Sequence, residues 1–269
     1  MYTLPTYLHN LQVARAAVQP YGPLSEHHSP EQLLDMACQC FHSPSEGDNL
    51  EIKQWICKNL PRPSVVIEAG AAEGHDTLFF STVFPRARIF SFEPMREFYP
   101  LVKNTKEMLN LKNVTITQAA LAEENGKRKF HSMQNPGGPW GSSTLLNPTQ
   151  LHFDTWKDVS VRETYEVDIL NLDWFCEMSR IDSVDLMWLD MQGMEATVAM
   201  SSPKIISKTK MIVSEVNFSK VYEDVVLYDE YKDFLEEKGF SIVKEYFDND
   251  RPKEEWDQGN IIAVNEKLM

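Results

Sequence analysis

The sequence lacks several features that mark other classes of protein. No apolar run approaches the roughly 18–20 residues of a membrane-spanning helix, and the N-terminus has no signal-peptide core. Only four cysteines occur among 269 residues, and no two are spaced as C-x-x-C. Neither a zinc knuckle nor a disulfide framework is therefore expected. These absences predict a soluble, cytoplasmic protein without a membrane partner.

Basic residues are also scarce. The chain has 26 lysines and arginines against 40 aspartates and glutamates, a formal net charge of −14. Such a charge repels polyanions at long range, so we expect no nucleic-acid partner. The tight basic cluster at 127–129 is more typical of a solvated turn between strands.

A strand, a glycine turn and a helix follow one another at residues 65–85. Val65–Ile67 is apolar and β-branched, as in a parallel strand buried on both faces. Gly70 and Gly74 then allow a sharp turn into a helix that Pro85 ends. Because a helix start offers unpaired backbone N–H groups, this unit is typical of a nucleotide site.

The spacing of the turn indicates which nucleotide it binds. Ala72 stands where a dinucleotide fingerprint needs its middle glycine, which disfavours a dehydrogenase. Glu68 and Glu73 flank the turn and would repel a pyrophosphate. They suit the cationic cofactor S-adenosylmethionine, which has a sulfonium, an ammonium and no phosphate. A turn of an α/β fold that binds no ligand is the alternative.

The order of elements predicts an α/β fold. Two helices, starting near Ser29 and Asp48, form an N-terminal helical extension at residues 1–63. Residues 64–269 then alternate strands with helices, which predicts a mostly parallel, Rossmann-like sheet of seven strands with helices on both faces.

Polar side chains fall where the predicted strands end. These residues are Glu68, Glu93, Asp190, Glu215 and Asn217. Ligands bind at the carboxyl ends of strands in such sheets, so we expect these groups to converge. Glu93, at the tip of the second strand, is placed to accept both ribose hydroxyls of an adenosine, and small residues such as Ala120 after the third strand leave room for adenine.

The alternating pattern breaks for about forty residues after the third strand. Asn125-Gly126 predicts a hairpin turn between short strands, and residues 135–144 form the least regular segment of the chain. A long irregular loop in a compact domain is usually functional. With Trp140, His131, Phe153 and Trp156 in or near it, we expect residues 131–160 to border the acceptor, with Trp140 and His131 as contacts.

These motifs resemble the FkbM-type S-adenosylmethionine-dependent methyltransferases. The resemblance covers roughly residues 64–265, and its most specific part is the Asp-x-Gln-Gly-x-Glu signature after a hydrophobic strand. The segments that carry it are 68–77, 92–94 with Asn104, 141–143, 167–168 with 172–173, 185–195 and 239–240. Two departures are Glu68 and Ala72, where the family usually has Asp and Asn. A third is the lack of a glycine near Met200-Ser201.

The resemblance implies a class I methyltransferase fold and O-methylation of hydroxyl groups, often on sugars or secondary metabolites. It assigns cofactor contacts to Glu68, Gly70, Ala71, Gly74, His75, Thr77, Glu93, Pro94, Ala120, Ser143 and Asp190.

Asp190 is the predicted catalytic base, because an alcohol is a poor nucleophile until its proton leaves. Glu195 is assigned to catalysis as well, although a role in capping the next helix is equally expected. Glu215 and Asn217 are predicted to contact the substrate. In one alternative, Asp190, Glu215 and Asn217 hold Mg²⁺, as in catechol-type enzymes. In another, the protein binds ligands but has lost catalysis.

Overall fold

The computed structural model describes residues 47–247 and 257–269. The helices within them are α1 (Gly47–Asn59), α2 (His75–Val83), α3 (Tyr99–Leu109), α4 (Gln150–Thr155), α5 (Leu172–Met178), α6 (Glu195–Met200), α7 (Pro203–Ile206) and α8 (Tyr228–Glu237). The strands are β1 (Val65–Ala69), β2 (Arg88–Phe92), β3 (Val114–Thr117), β4 (Ala120–Ala122), β5 (Gly126–Asn135), β6 (Gly138–Thr144), β7 (Ser160–Asn171), β8 (Val184–Leu189), β9 (Thr209–Asn217), β10 (Ser241–Tyr246) and β11 (Gln258–Val264). The helix predicted to start at Ser29 lies outside the described residues.

Seven strands form the main sheet in the order β10–β11–β9–β8–β1–β2–β3. The pairs β1–β2, β2–β3, β1–β8 and β8–β9 are parallel, and β11 runs antiparallel to its neighbours β9 and β10. The predicted mostly parallel, seven-stranded sheet is therefore confirmed. Strands β2 and β3 lie on one side of β1, and β8 and β9 lie on the other side. Such a switch point between β1 and β8 opens a crevice at the carboxyl ends of the strands.

Alternate residues of the central strands pack into two cores on opposite faces of this sheet. On one face Val66, Ile89 and Trp188 pack with α1 and α2. On the other face, the neighbouring residues of the same strands, such as Ile67 and Phe90, pack with α5, α6, α7 and α8. Because both faces are covered, the strands read as continuous apolar runs, and the predicted two layers of helices are confirmed.

A second sheet of four strands occupies the region that the sequence pattern leaves irregular. Its order is β4–β7–β5–β6, and β5 pairs with both β6 and β7 over long stretches. The prediction of an irregular loop at 135–144 was wrong, because these residues form the hairpin between β5 and β6. The predicted hairpin at Asn125-Gly126 was also wrong, since β7 lies between β4 and β5.

Helix α1, assigned to the N-terminal extension, packs into the same core as the sheet. No described helix has both the length and the apolar character needed to cross a membrane.

Candidate active site

A cavity of about 870 Å³ lies at the carboxyl ends of β1, β2, β8 and β9. One wall is the glycine turn after β1, and a second is the loop after β2. The β5–β6 hairpin and the end of α4 form a third wall. The volume lies within the roughly 300–1,000 Å³ that small-molecule sites usually have.

The turn after β1 needs glycine at its first position for a steric reason. Gly70 has φ +90°, and a Cβ atom built on it would lie 1.8 Å from the carbonyl oxygen of Asp190. The ends of β1 and β8 therefore approach so closely that no side chain fits between them. Gly74, with φ +86°, occupies the position before α2. Its missing Cβ leaves room for Val102 of α3, since a Cβ there would lie 3.2 Å from that side chain.

Glu93 binds the turn to the end of β2. Its carboxylate accepts hydrogen bonds from the backbone N–H groups of Ala72, at 2.6 Å, and Met95, at 2.7 Å. Burial raises the pKa of Glu93 to about 8, although these two N–H groups act in the opposite direction. The side chain lines the cavity and keeps acceptor capacity for the hydroxyl groups of a ligand.

Glu68 lies beneath the turn and does not line the cavity. Its Oε2 accepts hydrogen bonds from Thr77 at the start of α2 and from Ser91 of β2. The fully buried side chain has its pKa raised to about 7, first by burial and then by the charge of Asp76. Glu68 and Thr77 therefore support the turn from below.

The cavity offers groups that complement S-adenosylmethionine. The small side chains of Ala119 and Ala120 leave space for an adenine ring beyond β3, and Glu93 supplies hydrogen-bond acceptors for a ribose. The hydroxyl oxygen of Ser142 is buried on the cavity wall and has no hydrogen-bond partner among the described residues. Glu73 and Asp76 add carboxylates near the turn, where a cationic amino-acid part would be favoured.

Asp190 and Glu215 are bridged by the side-chain amide of Gln192. The Nε2 atom of Gln192 donates to Asp190 Oδ1 at 2.7 Å and to Glu215 Oε2 at 3.3 Å. Its Oε1 accepts from the hydroxyl of Tyr222 at 3.1 Å. This pattern fixes the orientation of the amide, because the flipped amide would point oxygen at two carboxylates.

The two bridged carboxylates both face the cavity but have different surroundings. Asp190 is solvent-exposed, yet protein atoms around it displace enough water to raise its pKa. Glu215 is half-buried, and its pKa is raised well above the usual value by burial and by the charges of Asp190 and Glu195. Gln258 Nε2 donates to Glu215 at 3.0 Å and to Asn217 at 3.2 Å. Asn217 itself does not line the cavity.

Glu195 holds the loop between β8 and α6. Its carboxylate accepts from the backbone N–H groups of Met191 and Gly193, and its side chain is buried. Burial raises its pKa to about 8. The loop is tight at Gly193, where a Cβ atom would lie 2.8 Å from the ring of Tyr222. Because Glu195 does not line the cavity, this geometry favours the capping and orienting role.

Two tryptophans form the outer wall of the cavity. Trp140 of β6 is 42% exposed, and Trp156 follows α4. Behind Trp156, the fully buried His152 packs against the rings of Trp156 and Tyr222 at 4.8 and 5.1 Å between centroids. Burial lowers the pKa of His152. His131 bonds to Thr164 and Asn147 and does not line the cavity.

The structure brings most of the predicted site residues together. The predicted residues that line the cavity are Gly70, Ala71, His75, Glu93, Pro94, Ala120, Trp140, Ser143, Asp190 and Glu215. Those that do not are Glu68, Gly74, Thr77, His131, Glu195 and Asn217. Gln192 and Gln258 line the cavity but are missing from the prediction. Gln192 stands inside the Asp-x-Gln-Gly-x-Glu signature, which was the available signal, whereas nothing near Gln258 marks it in the sequence.

Comparison with known proteins identifies the family. The Methyltransferase FkbM domain matches residues 68–242. The chain is 26% identical over 198 residues to the 2-O-methyltransferase NoeI of Sinorhizobium fredii, covering 72% of this chain and 80% of that protein. It is also 26% identical over 148 residues to Methyltransferase 1 of Beauveria bassiana, covering 52% of this chain and 58% of that protein.

Two solved structures show a weaker similarity to this chain. A magnesium protoporphyrin IX methyltransferase from Synechocystis with bound S-adenosylmethionine is 10% identical, with a TM-score of 0.47 and coverage of 95% of this chain and 97% of that chain. A precorrin-6y C5,15-methyltransferase from Geobacter metallireducens is 13% identical, with a TM-score of 0.42 and coverage of 80% and 86%.

The matched range contains the glycine turn, Glu93 and the whole signature from Asp190 to Glu195. The predicted class I fold, family and cofactor are thereby confirmed. The chain belongs to the FkbM family of S-adenosylmethionine-dependent methyltransferases.

Proposed function

We propose that the protein methylates a hydroxyl group of a sugar-containing small molecule. The observation that carries this proposal is one cavity lined by Glu93, by Asp190 and by two tryptophans. The similarity to a protein named 2-O-methyltransferase supports a hydroxyl acceptor. The flat rings of Trp140 and Trp156 suit the apolar face of a sugar ring, and Glu215 and Gln258 suit its hydroxyl groups.

Asp190 is the proposed base. When bound, S-adenosylmethionine supplies a methyl group on positively charged sulfur, and its transfer to a hydroxyl yields a methyl ether, S-adenosylhomocysteine and one proton. Asp190 takes that proton from the acceptor oxygen. Gln192 holds one carboxylate oxygen, Oδ1, so the other oxygen is available to the acceptor. The cavity walls orient the acceptor and exclude water.

A metal-free site is favoured over the Mg²⁺ alternative. Oxygens of Asp190, Glu195 and Glu215 lie within 4.8 Å of one another, so three carboxylates are close enough to share a cation. However, the amide of Gln192 lies between Asp190 and Glu215, and both oxygens of Glu195 accept backbone N–H groups. The third predicted ligand, Asn217, directs its oxygen at Gln258.

Replacement of the proposed base tests this function. Asp190→Asn keeps the size of the side chain and removes its charge, so we expect donor affinity near that of the wild type. Loss of a general base typically reduces turnover by about 10²–10⁴-fold. Formation of S-adenosylhomocysteine, measured with a panel of mono- and oligosaccharides, reports turnover. Asp182→Asn, an exposed change near the start of β8, is the control.

Each outcome separates the proposal from an alternative. Unimpaired turnover in Asp190→Asn would refute the role of this residue. Activity that a chelator abolishes and Mg²⁺ restores would support the metal-dependent mechanism. Donor binding with no methylation of any saccharide in the panel would support a binding protein.

A further inference from the structure

Helix α1 lies before the family domain, which begins at residue 68, yet one face of it is fully buried. Ile52 and Ile56 are 0% exposed and pack against α2 and the sheet. A helix that only covered the sheet would present apolar residues throughout this face. Instead, Lys53 lies beside Ile52 and is only 4% exposed.

The ammonium of Lys53 is held by specific partners. Its Nζ lies 2.6 Å from Asp76 Oδ1. It also lies 5.2 Å from the ring centre of Phe79 and 6.0 Å from that of Trp188. Burial of an ammonium is unfavourable unless it is paired, and an apolar residue would stabilise this core at least as well. A buried ammonium paired with the partly exposed Asp76 therefore indicates a role beyond packing.

Asp76 connects Lys53 to the cofactor cavity. It stands in the first turn of α2, two residues after Gly74, and it is one of the residues that line the cavity. Four other carboxylates line the same cavity, namely Glu73, Glu93, Asp190 and Glu215. Among the lysines and arginines of the described residues, only Lys53 forms an ion pair with one of these five groups.

We propose that Lys53 is a positioning residue for S-adenosylmethionine and that α1 is part of the donor site. Lys53 holds the Asp76 carboxylate against the cavity wall beside the glycine turn. In that position the carboxylate accepts hydrogen bonds from the ammonium group of the donor's amino-acid part. Without Lys53, Asp76 is free to rotate and α1 loses its polar anchor on α2.

Donor binding to the purified protein tests this role without any acceptor. In Lys53→Met, calorimetry should show an affinity for S-adenosylmethionine that is lower by about tenfold, a coupling of ordinary size between linked groups. S-adenosylhomocysteine has the same amino-acid part, so its affinity should fall similarly. Lys53→Arg keeps the charge and should recover part of the loss. Lys58→Met, an exposed change on the same helix, should bind as the wild type does.

A double-mutant cycle distinguishes positioning from general loosening of the fold. If Lys53 acts through Asp76, Lys53→Met/Asp76→Asn should bind the donor no more weakly than Asp76→Asn does. Additive losses, or unchanged or increased affinity in Lys53→Met, would overturn the proposal. If Lys53→Met does not fold, the double variant removes both charges of the Lys53–Asp76 pair, and wild-type donor affinity in that variant would also overturn the proposal.

Discussion

Ala72 adopts a backbone conformation that alanine rarely takes. Its φ of +46° lies in the left-handed region, and its N–H group donates to Glu93. Asparagine enters this region more readily than other residues with a side chain, which gives a backbone reason for the asparagine usual in the family. The departure at Ala72 thus concerns the stability of the turn as well as a polar contact.

Ala72→Asn should stabilise the cofactor-free protein. Relief of the left-handed strain contributes up to about 1 kcal/mol, which raises Tm by roughly 2–4 °C in a domain of this size. Calorimetric melting without ligand measures the shift. Ala72→Val is the opposite control, because a branched side chain at positive φ should lower Tm. A lower Tm for Ala72→Asn would contradict the strain argument.

Glu93 should be needed for donor affinity. At pH 9, above its pKa of about 8, Glu93 is ionised, and Glu93→Gln then keeps the shape but removes the charge that strengthens hydrogen bonds from ribose hydroxyls. Hydrogen bonds to charged groups contribute about 1.5–3 kcal/mol each, so calorimetry should show an affinity lower by roughly 10- to 150-fold. Glu177→Gln, exposed on α5, is the control. Wild-type donor affinity in Glu93→Gln would show that Glu93 does not bind the cofactor.

The positions of individual carboxylates in the site can be predicted from this sequence, because they depend only on residues that are close in the chain. A buried parallel strand followed by Glu93 or Asp190 places its carboxylate at one edge of the sheet, whatever the rest of the chain does. Partners distant in sequence cannot be found in this way. Gln192 lies two residues from Asp190, but Gln258 and Lys53 approach the site only through β11 and α1, and their contacts depend on the completed fold.

The β5–β6 hairpin shows why the second sheet could not be predicted from the sequence pattern. Strand β5 begins with the exposed Lys127 and Lys129, and β6 contains Gly138 and Gly141, so the apolar alternation that marks a half-buried strand is weak. Its pairing also shifts register between His131 and Met133, which breaks the period of two. Strand β5 depends on long-range pairing with β7, and a local pattern cannot reveal that pairing.

This hairpin should determine acceptor affinity through Trp140. Trp140→Ala should raise KM for the acceptor by about 2- to 12-fold, since aromatic packing contributes roughly 0.5–1.5 kcal/mol beyond the buried area. Stability should change little, because the side chain is 42% exposed. Trp174→Ala is the matched control, since Trp174 is 43% exposed but lies on α5 away from the cavity. Equal KM values in both variants would exclude the hairpin from the acceptor site.

The whole molecule combines an acidic surface with acidic groups inside it. Burial raises the pKa of Glu68 to about 7 and those of Glu93 and Glu195 to about 8. The folded protein therefore holds protons on these groups at pH values where the unfolded chain, with pKa near 4.5, has lost them. Their contribution to stability is complete below about pH 4.5 and is lost as pH rises through 7 and 8. The pKa of His152 is lowered, so its contribution is lost as pH falls below about 6.5.

The cofactor-free protein should consequently become less stable between about pH 6.5 and pH 9, unlike proteins whose buried carboxylates are paired with cations. Melting temperature measured across this range should fall with pH. Groups with lowered pKa, such as Asp185 and Glu123, titrate below this range and leave the trend unchanged. Glu93→Gln removes one of the titrating groups and should flatten the decline. A cationic donor favours the ionised carboxylates, so S-adenosylmethionine should stabilise the protein more at pH 9 than at pH 6.5. A melting temperature that rises with pH in this range would contradict the raised pKa values.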